Sequence, residues 1–420
     1  MTLDAQIQLA PMPEPVSNNA VTVAYVDGQP YVYSFAGIDT SKIWSGIHNK
    51  AFRYSVAADQ WEAIDPLPSP EGRIAAAAST VKNKIYIIGG YRVFSSGNEI
   101  SLNKVHRYDP VMNAYLFDGA PVPIPIDDHV QAVWRDSLIY VITGWSNNGN
   151  VNNVQIYNPV ADAWLAGTPL PPGDDHYKVF GASGVIVGDT IYYAGGATDD
   201  CCSPAFPPIA YFRKGIIDPA DPTQIDWSGF AAPEAQGYRM GATTHGDFAL
   251  WFGGSALTYN YDGIDYNGSG GVEPMDRWLS YQTQWQEFEV NEDQGIAVMD
   301  LRGVAKLQDG MYILAGGMTA GQQVTDQTLL VEVVQVSDTE ATVAEKESVF
   351  YPNPSGGVFT LQKAGTYTVE CRSVKGTVLR RLTLSAGDQI DCTDLPAGPY
   401  LLQLWQEGVL KSSERVIIQR

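Results

Sequence analysis

Short runs of β-branched and aromatic residues, each closed by glycine, recur along most of the chain. One such stretch is Lys82 to Tyr91, KNKIYIIGGY, a polar turn followed by a strand-like run and a double glycine. Variants of it occupy Pro30 to Gly37, Asp136 to Gly144, Gly188 to Gly196, Gly246 to Gly254 and Asp309 to Gly317. Their last glycines, Gly37, Gly90, Gly144, Gly196, Gly254 and Gly317, are separated by 53, 54, 52, 58 and 63 residues. A strand-rich unit of this size buries its apolar faces only against its neighbours, which predicts a propeller or a solenoid in place of three average domains.

Each unit reads as an apolar strand, a turn, the aromatic strand ending in glycine, a variable loop, a third strand, a turn and a fourth strand. An aromatic pair seven residues apart marks the last hairpin: Tyr54 and Trp61, Tyr108 and Tyr115, Tyr157 and Trp164, Trp278 and Trp285. Two large rings at that spacing, with a turn between them, pack a hairpin against the neighbouring sheet. With the connectors Pro66 to Pro68 and Pro169 to Pro171, the combination resembles the kelch repeat over about residues 1 to 337. The resemblance implies an all-β, six-bladed kelch β-propeller. The fourth unit departs from it through an insertion, Gly215 to Trp227, between its last two strands. The sixth lacks a Trp-bearing fourth strand after Thr328 to Val336, and Leu3 to Leu9 is expected to supply it, removing open sheet edges.

The pattern stops in Ser337 to Ser348, a charged stretch without glycine. The expected domains are therefore 1–337, the propeller; 338–348, a linker; and 349–420, a second domain. Alternating strands and glycine-centred turns in the last segment predict a small antiparallel, immunoglobulin-like β-sandwich. Tyr351, Pro352, Asn353, Pro354, Gly357 and Phe359, then Gly376, then Leu395, Pro396, Gly398 and Tyr400 carry a resemblance to the type A C-terminal sorting domain of the type IX secretion system of Bacteroidetes. That resemblance implies the type IX secretion machinery as a partner, export, and surface attachment or release after removal of the domain. It also implies passage into the periplasm by a cleaved signal peptide. MTLDAQIQLAPMP has neither a basic nor an apolar leader region, so the signal peptide is expected to be missing from this sequence.

Charge narrows the partners. With 26 Lys+Arg against 47 Asp+Glu the net charge is -21, which disfavours nucleic acid and anionic membranes. No apolar run approaches the length of a transmembrane helix. Cys371 and Cys392 occupy strand-like runs and are read equally as two buried thiols or one bridge; Cys201 and Cys202 sit in a proline-flanked loop, read as an ordinary loop over a vicinal disulfide.

In a kelch propeller, loops between second and third strands share the ligand face with the connectors between blades. Here they are Ile38 to Ile47, Tyr91 to Leu102, Trp145 to Val151, Ala197 to Ile209, Ser255 to Asp276 and Met318 to Asp326. The fifth, the longest, offers Tyr259, Tyr261 and Tyr266, either for stacking on sugar rings or for packing the loop itself. Arg73, Arg239 and Arg302 fall at or just inside the starts of innermost strands. They suit a carboxylate-bearing ligand, or salt bridges that stabilise the ring. His129 and His176 are further candidates on this face.

The arginines also bear a similarity to N-acetylneuraminate epimerases, six-bladed kelch propellers, though no catalytic residue carries over. No pattern matches the copper site of galactose oxidase, another kelch relative. IDYNGSGG (Ile264 to Gly271) lacks the acids that begin and end a calcium loop. No metal or cofactor is expected. The preferred reading is a secreted or surface-attached binding protein for a glycan or protein ligand; the alternative is a sialic-acid mutarotase or epimerase. No acid, base and electrophile are assembled by any motif, which favours the first.

Overall fold

The computed structural model describes residues 1–200, 205–334, 349–373, 378–406 and 409–419. It divides into two compact units, 1–335 and 336–420. The expected linker 338–348, the Cys201 and Cys202 pair and Gly376 lie outside the described residues.

The first unit is a six-bladed propeller of four-stranded antiparallel sheets, blade two carrying Glu99–Ser101 as an additional short strand on Lys84–Val93. Its innermost strands are Ala20–Val26, Ile74–Val81, Val130–Trp134, Ser183–Val187, Gly241–His245 and Ala305–Gln308. The apolar core is a set of seams between blades. Tyr33, Phe35, Ile85, Ile87 and Tyr108 join blades one and two. Tyr140, Ile156, Ile191 and Tyr193 join three and four, and Leu250, Trp278, Tyr312 and Val331 join five and six. Each blade buries its faces only by having neighbours, as the repeat period requires.

The glycine pairs form the polar counterpart of these seams. The glycine that closes the second strand of each blade, preceded by Ala36 in blade one, Thr143 in blade three and another glycine elsewhere, donates its amide to a carbonyl of the following connector at 2.8–3.0 Å: Gly37 to Arg73, Gly90 to Ile126, Gly144 to Val179, Gly196 to Gly237, Gly254 to Val298 and Gly317 to Val16. The last of these returns the chain to blade one. A side chain is excluded as well as unnecessary here, since a β-carbon on Gly195 would lie 1.9 Å from the Gly237 carbonyl oxygen.

The fourth strand of blade six is Thr2–Gln8, which pairs antiparallel with Thr328–Val334. Trp61 of blade one adds a hydrogen bond from Nε1 to Thr328 Oγ1, at 2.8 Å. The aromatic pairs Tyr54–Trp61, Tyr108–Tyr115 and Tyr157–Trp164 sit opposite one another across their hairpins, with ring centroids 5.3, 5.0 and 5.0 Å apart. Blade five corrects the expected Trp278–Trp285 pair. Trp278 lies opposite Asn291, and the cross-strand aromatic pair is Tyr281–Phe288, 4.8 Å apart and also seven residues apart in sequence. The hydrophobic face is therefore set three residues later than expected. In blade four the insertion lengthens a hairpin, Tyr211–Asp218 with Asp221–Ala231, in which a register shift at Ile217/Asp218 absorbs the extra residues.

The second unit is a sandwich of a three-stranded sheet (Phe350–Tyr351, Val358–Leu361, Gln389–Asp391) and a four-stranded sheet (Thr366–Ser373, Val378–Ser385, Gly398–Gln406, Val409–Ile418). Phe350, Phe359, Val369, Ile390, Leu402 and Val416 fill its core. Cys371 and Cys392 are buried there as free thiols.

Candidate functional site

A ring of residues with left-handed backbone stands where the six connectors enter the innermost strands: Asn18, Ala75, Asp128, Gly181, Arg239 and Asp300, with φ of 56, 56, 46, 68, 50 and 65°. Hydrogen bonds run from blade to blade around it. Asp128 N donates to Ala75 O, Gly181 N to Asp128 O, Arg239 N to Gly181 O, Leu301 N to Arg239 O and Asn18 N to Asp300 O, at 2.8–3.3 Å. Between blades one and two the Asn18 side chain substitutes, accepting from Ala75 N at 2.5 Å. Asn, Asp and Gly adopt this conformation readily, whereas Ala75 and Arg239 are held in it by the structure around them.

Arg239 crosses the ring. Its Nε and Nη2 grip Asp128 at 3.0 and 2.6 Å, and Nη1 donates to Asp300 Oδ1 at 2.9 Å. All three are buried. Burial pushes the Asp128 carboxyl up, but Arg239 and Arg302 outweigh it and hold it below the usual carboxylate range. Asp300 and Asp127 are both raised, chiefly by burial; Asp127, which also feels the charge of Asp128, rises well above its ordinary value. Arg239 is thus already paired with two carboxylates of the chain itself.

Above Arg239 sit aromatic rings. Its guanidinium carbon is 5.0 Å from the centre of the Tyr238 ring and 5.4 Å from that of Tyr259. Tyr259 is fully buried, edge-on to Tyr238. Tyr266 packs on Phe206 at 4.8 Å, and Tyr261 reaches the cluster of Ile38, Ile74, Tyr91 and Val93 in blades one and two. Thr258 donates to Phe206 O at 2.7 Å, and Gln322 of blade six donates to Val272 O at 3.0 Å. The fifth loop therefore lies across the channel mouth on the face that carries the loops between second and third strands, and its three tyrosines contact neighbouring blades. Tyr259 is taken up by this packing, while Tyr261 and Tyr266 are half-buried.

The remaining sequence candidates separate. Arg73 is fully buried inside blade two, donating to Gly89 O at 3.0 Å and facing His106 Nε2 at 2.6 Å, with Asp118 beyond at 2.8 Å from His106 Nδ1. His176 lies at the seam of blades three and four, 2.7 Å from Asp174 Oδ1 and stacked 4.9 Å from Tyr211. Arg302 and His129 stay together, on the far side of the ring from the tyrosines. Arg302 Nη2 donates to His129 O at 2.9 Å. Burial lowers the His129 pKa to about 4, keeping the imidazole neutral.

Two concavities accompany these groups. One, of about 460 Å3, is the channel itself, lined by the innermost strands from His129 and Arg302 down to Tyr25 and Lys306. The other, of about 370 Å3, is a cleft walled by Asn150 to Asn153, Pro171 to Asp175 and Lys178. Asn150 donates from Nδ2 to Ala197 O and Lys178 O, at 3.0 and 3.2 Å, while its buried Oδ1 has no partner among the described residues. Lys178 Nζ stands 3.4 Å from both Asp175 and Asp199. Among the described residues no cluster of metal-ligating side chains occurs.

In the sandwich, the residues of the terminal motif fasten strands. Asn353 Oδ1 accepts from Ile417 N at 3.0 Å, Ser355 N donates to Ile417 O at 2.9 Å, and Tyr400 donates its hydroxyl to Pro396 O at 2.9 Å. Gly357, at φ 109°, accepts from Cys392 N at 2.7 Å. Pro352 and Pro354 each follow a cis peptide bond, Tyr351 is largely exposed, and Gly398 opens its strand at φ 149°.

Sequence reasoning missed the ring partners Asn18, Asp128 and Asp300, which share their column with Ala75, Gly181 and Arg239 and so show no single residue type. A signal was present: they occupy one column when the six repeats are aligned by the step from connector to innermost strand.

Comparison with known proteins gives the class. Residues 72–115 match the Kelch motif, and residues 349–419 match the secretion system C-terminal sorting domain. The chain is 27% identical over 230 residues to Kelch-like protein terF of Aspergillus terreus, covering 53% of this chain and 47% of that protein. It is 23% identical over 286 residues to Kelch-like protein 36 of Bos taurus, covering 67% and 41%. The chain thus spans less than half the length of these curated relatives. Among solved structures, one titled "Structure of YjhT" superposes with a TM-score of 0.62 at 16% identity, over 78% of this chain and 98% of that one, a likeness of fold. The protein is a kelch β-propeller carrying a C-terminal sorting domain. That domain implies export, with a secreted or cell-surface destination, and interaction with the secretion machinery.

Proposed function

We propose that the protein is an exported binding protein, delivered by the type IX secretion machinery, whose propeller engages a glycan on its loop face. The observation that supports it is the cleft between blades three and four. Its walls converge amides and carboxylates from Asn150, Asn152, Asn153, Asp174 and Asp175, with the Lys178 ammonium at one side and an unpartnered buried acceptor on Asn150. Sugars are recognised by such convergent donors and acceptors beside a ring surface, and the Tyr211 and His176 rings lie at the same seam. On the same face the fifth loop packs across the channel mouth, which favours a surface site over a deep one.

A glycan array with the full chain tests this reading. Saturable binding to a defined glycan, weakened about tenfold or more by Asp175→Ala or Asn152→Ala, is the expected result. Failure to retain any glycan, or binding indifferent to both substitutions, would discard it.

A further inference from the structure

We propose that the propeller channel, entered from the face opposite the fifth loop, is a binding site for a small hydroxylated organic carboxylate held by Arg302. The site is separate from the cleft between blades three and four and does not depend on it.

The ring and the tyrosines above it divide the channel from the loop face. Below the ring the innermost strands diverge around about 460 Å3, ending near Tyr25, which is 41% exposed, and Lys306. That volume lies within the range of small-molecule sites. Its charge is unlike the rest of the molecule. In a chain of net charge -21, the lining residues include the cations Arg302 and Lys306 and no aspartate or glutamate. The nearest carboxylate, Asp128, is gripped by Arg239 and forms a longer ion pair with Arg302 Nη1 at 3.5 Å, which leaves the Nε edge of Arg302 to be satisfied.

Arg302 is only 7% exposed, and its Nε has no partner among the described residues. His129, 1% exposed, likewise has an unpartnered Nδ1. A buried guanidinium edge left without an acceptor is costly, and a carboxylate oxygen is the acceptor it matches best. The wall around it is polar: His129 Nε2 meets Gln131 Oε1 at 3.0 Å, and Gln131 Nε2 donates to Ser79 Oγ at 2.8 Å. Thr22, Thr80 and Thr243 add hydroxyls, which suit a polyhydroxy acid over a fatty one. At the open end Lys306 Nζ donates to Thr244 Oγ1 at 2.9 Å and pairs with Asp309 at 2.7 Å, so its charge is largely offset and Arg302 alone provides the seat.

The test is calorimetric titration of the full chain with glucuronate, gluconate and citrate, with glucose and inorganic phosphate as controls. At least one organic acid is expected to bind at one site per chain, with glucose and phosphate at least about tenfold weaker. Arg302→Met should abolish that binding. Gln131→Glu, which places a negative charge beside the seat without touching the ring, should weaken it by about tenfold or more. Circular dichroism melts establish that each variant is folded; if Arg302→Met is not, Gln131→Glu alone decides. Absence of saturable binding by all three acids, equal binding of glucose, or affinity unchanged in a folded variant would overturn the proposal. Asp175→Ala, in the cleft, should leave channel binding unaltered, so the failure of either site is visible without the other.

Discussion

Gly317 donates its amide to the carbonyl of Val16 at 2.9 Å, which ties blade six to the connector that enters blade one. The pairing of Thr2–Gln8 with Thr328–Val334 closes the same seam through a sheet. Removing residues 1–8 leaves Thr328–Val334 as an open edge and withdraws Leu3 from the blade five and six core. We expect a loss of roughly 2–5 kcal/mol, read as a lower urea midpoint, and increased aggregation. An unchanged midpoint would show that the strand is dispensable for closure.

Arg239→Met should be among the most damaging single changes in the propeller. It leaves Asp128 and Asp300 buried with their main counter-ion gone, a change that costs about 3–5 kcal/mol in comparable settings. Adding Asp128→Asn and Asp300→Asn should recover much of the loss, because the uncompensated charges disappear with the arginine. Thermal melts of the single and triple variants check this, and a triple variant no more stable than the single would refute the charge-based account.

The glycine pairs permit a controlled comparison. Gly195→Ala puts a β-carbon 1.9 Å from a carbonyl oxygen at φ 68°, whereas Gly28→Ala, at φ 76°, meets nothing within 4 Å. Both substitutions carry the left-handed backbone penalty of about 1 kcal/mol, so the excess at Gly195, expected to exceed 2 kcal/mol, isolates the seam contact. Equal midpoints for the two variants would mean that the blades shift apart without cost.

Asp127 gives a pH signature. Its folded pKa is raised well above 3.8, mainly by burial and then by Asp128, so between those values the folded state binds the extra proton. Stability contributed by Asp127 is therefore lost as pH rises through that window. Asp127→Asn should become progressively stabilising, relative to the parent, from about pH 4 upward, and then level off. His48, His106 and His129 act oppositely: burial lowers each to about 4, so their contribution is present above about pH 6.5 and is lost as pH falls towards 4. The difference between the parent and Asp127→Asn melting curves cancels the histidines. A flat difference across pH 4–8 would show that Asp127 titrates normally.

Much of the architecture was legible because the repeat repeats its physics. A glycine pair that must approach a neighbouring carbonyl admits few alternatives, and Tyr54 with Trp61 face each other because strands pair residue by residue. Blade five was misread because two overlapping pairs, Trp278–Trp285 and Tyr281–Phe288, share the same spacing, and only burial distinguishes them. The channel site was less accessible. Arg239 and Arg302 are two positions apart when the repeats are aligned on the ring and look alike in sequence, yet one is gripped by two carboxylates and the other keeps its Nε without a partner among the described residues. That difference arises from Asp128 and Asp300, which come from other blades. Tyr259, similarly, reads as a ring for display until Tyr238 and Arg239 are seen beneath it.

Gln8 donates its side-chain amide to the Thr328 carbonyl at 3.2 Å, across 320 positions of chain. No local segment can imitate that contact. A product ending anywhere before Thr328 retains its first strand without a partner and a last blade with a bare edge. The fold thus contains its own test of completeness: full-length chains conceal both ends of the propeller sheet, and truncated ones advertise both to proteases and to other chains.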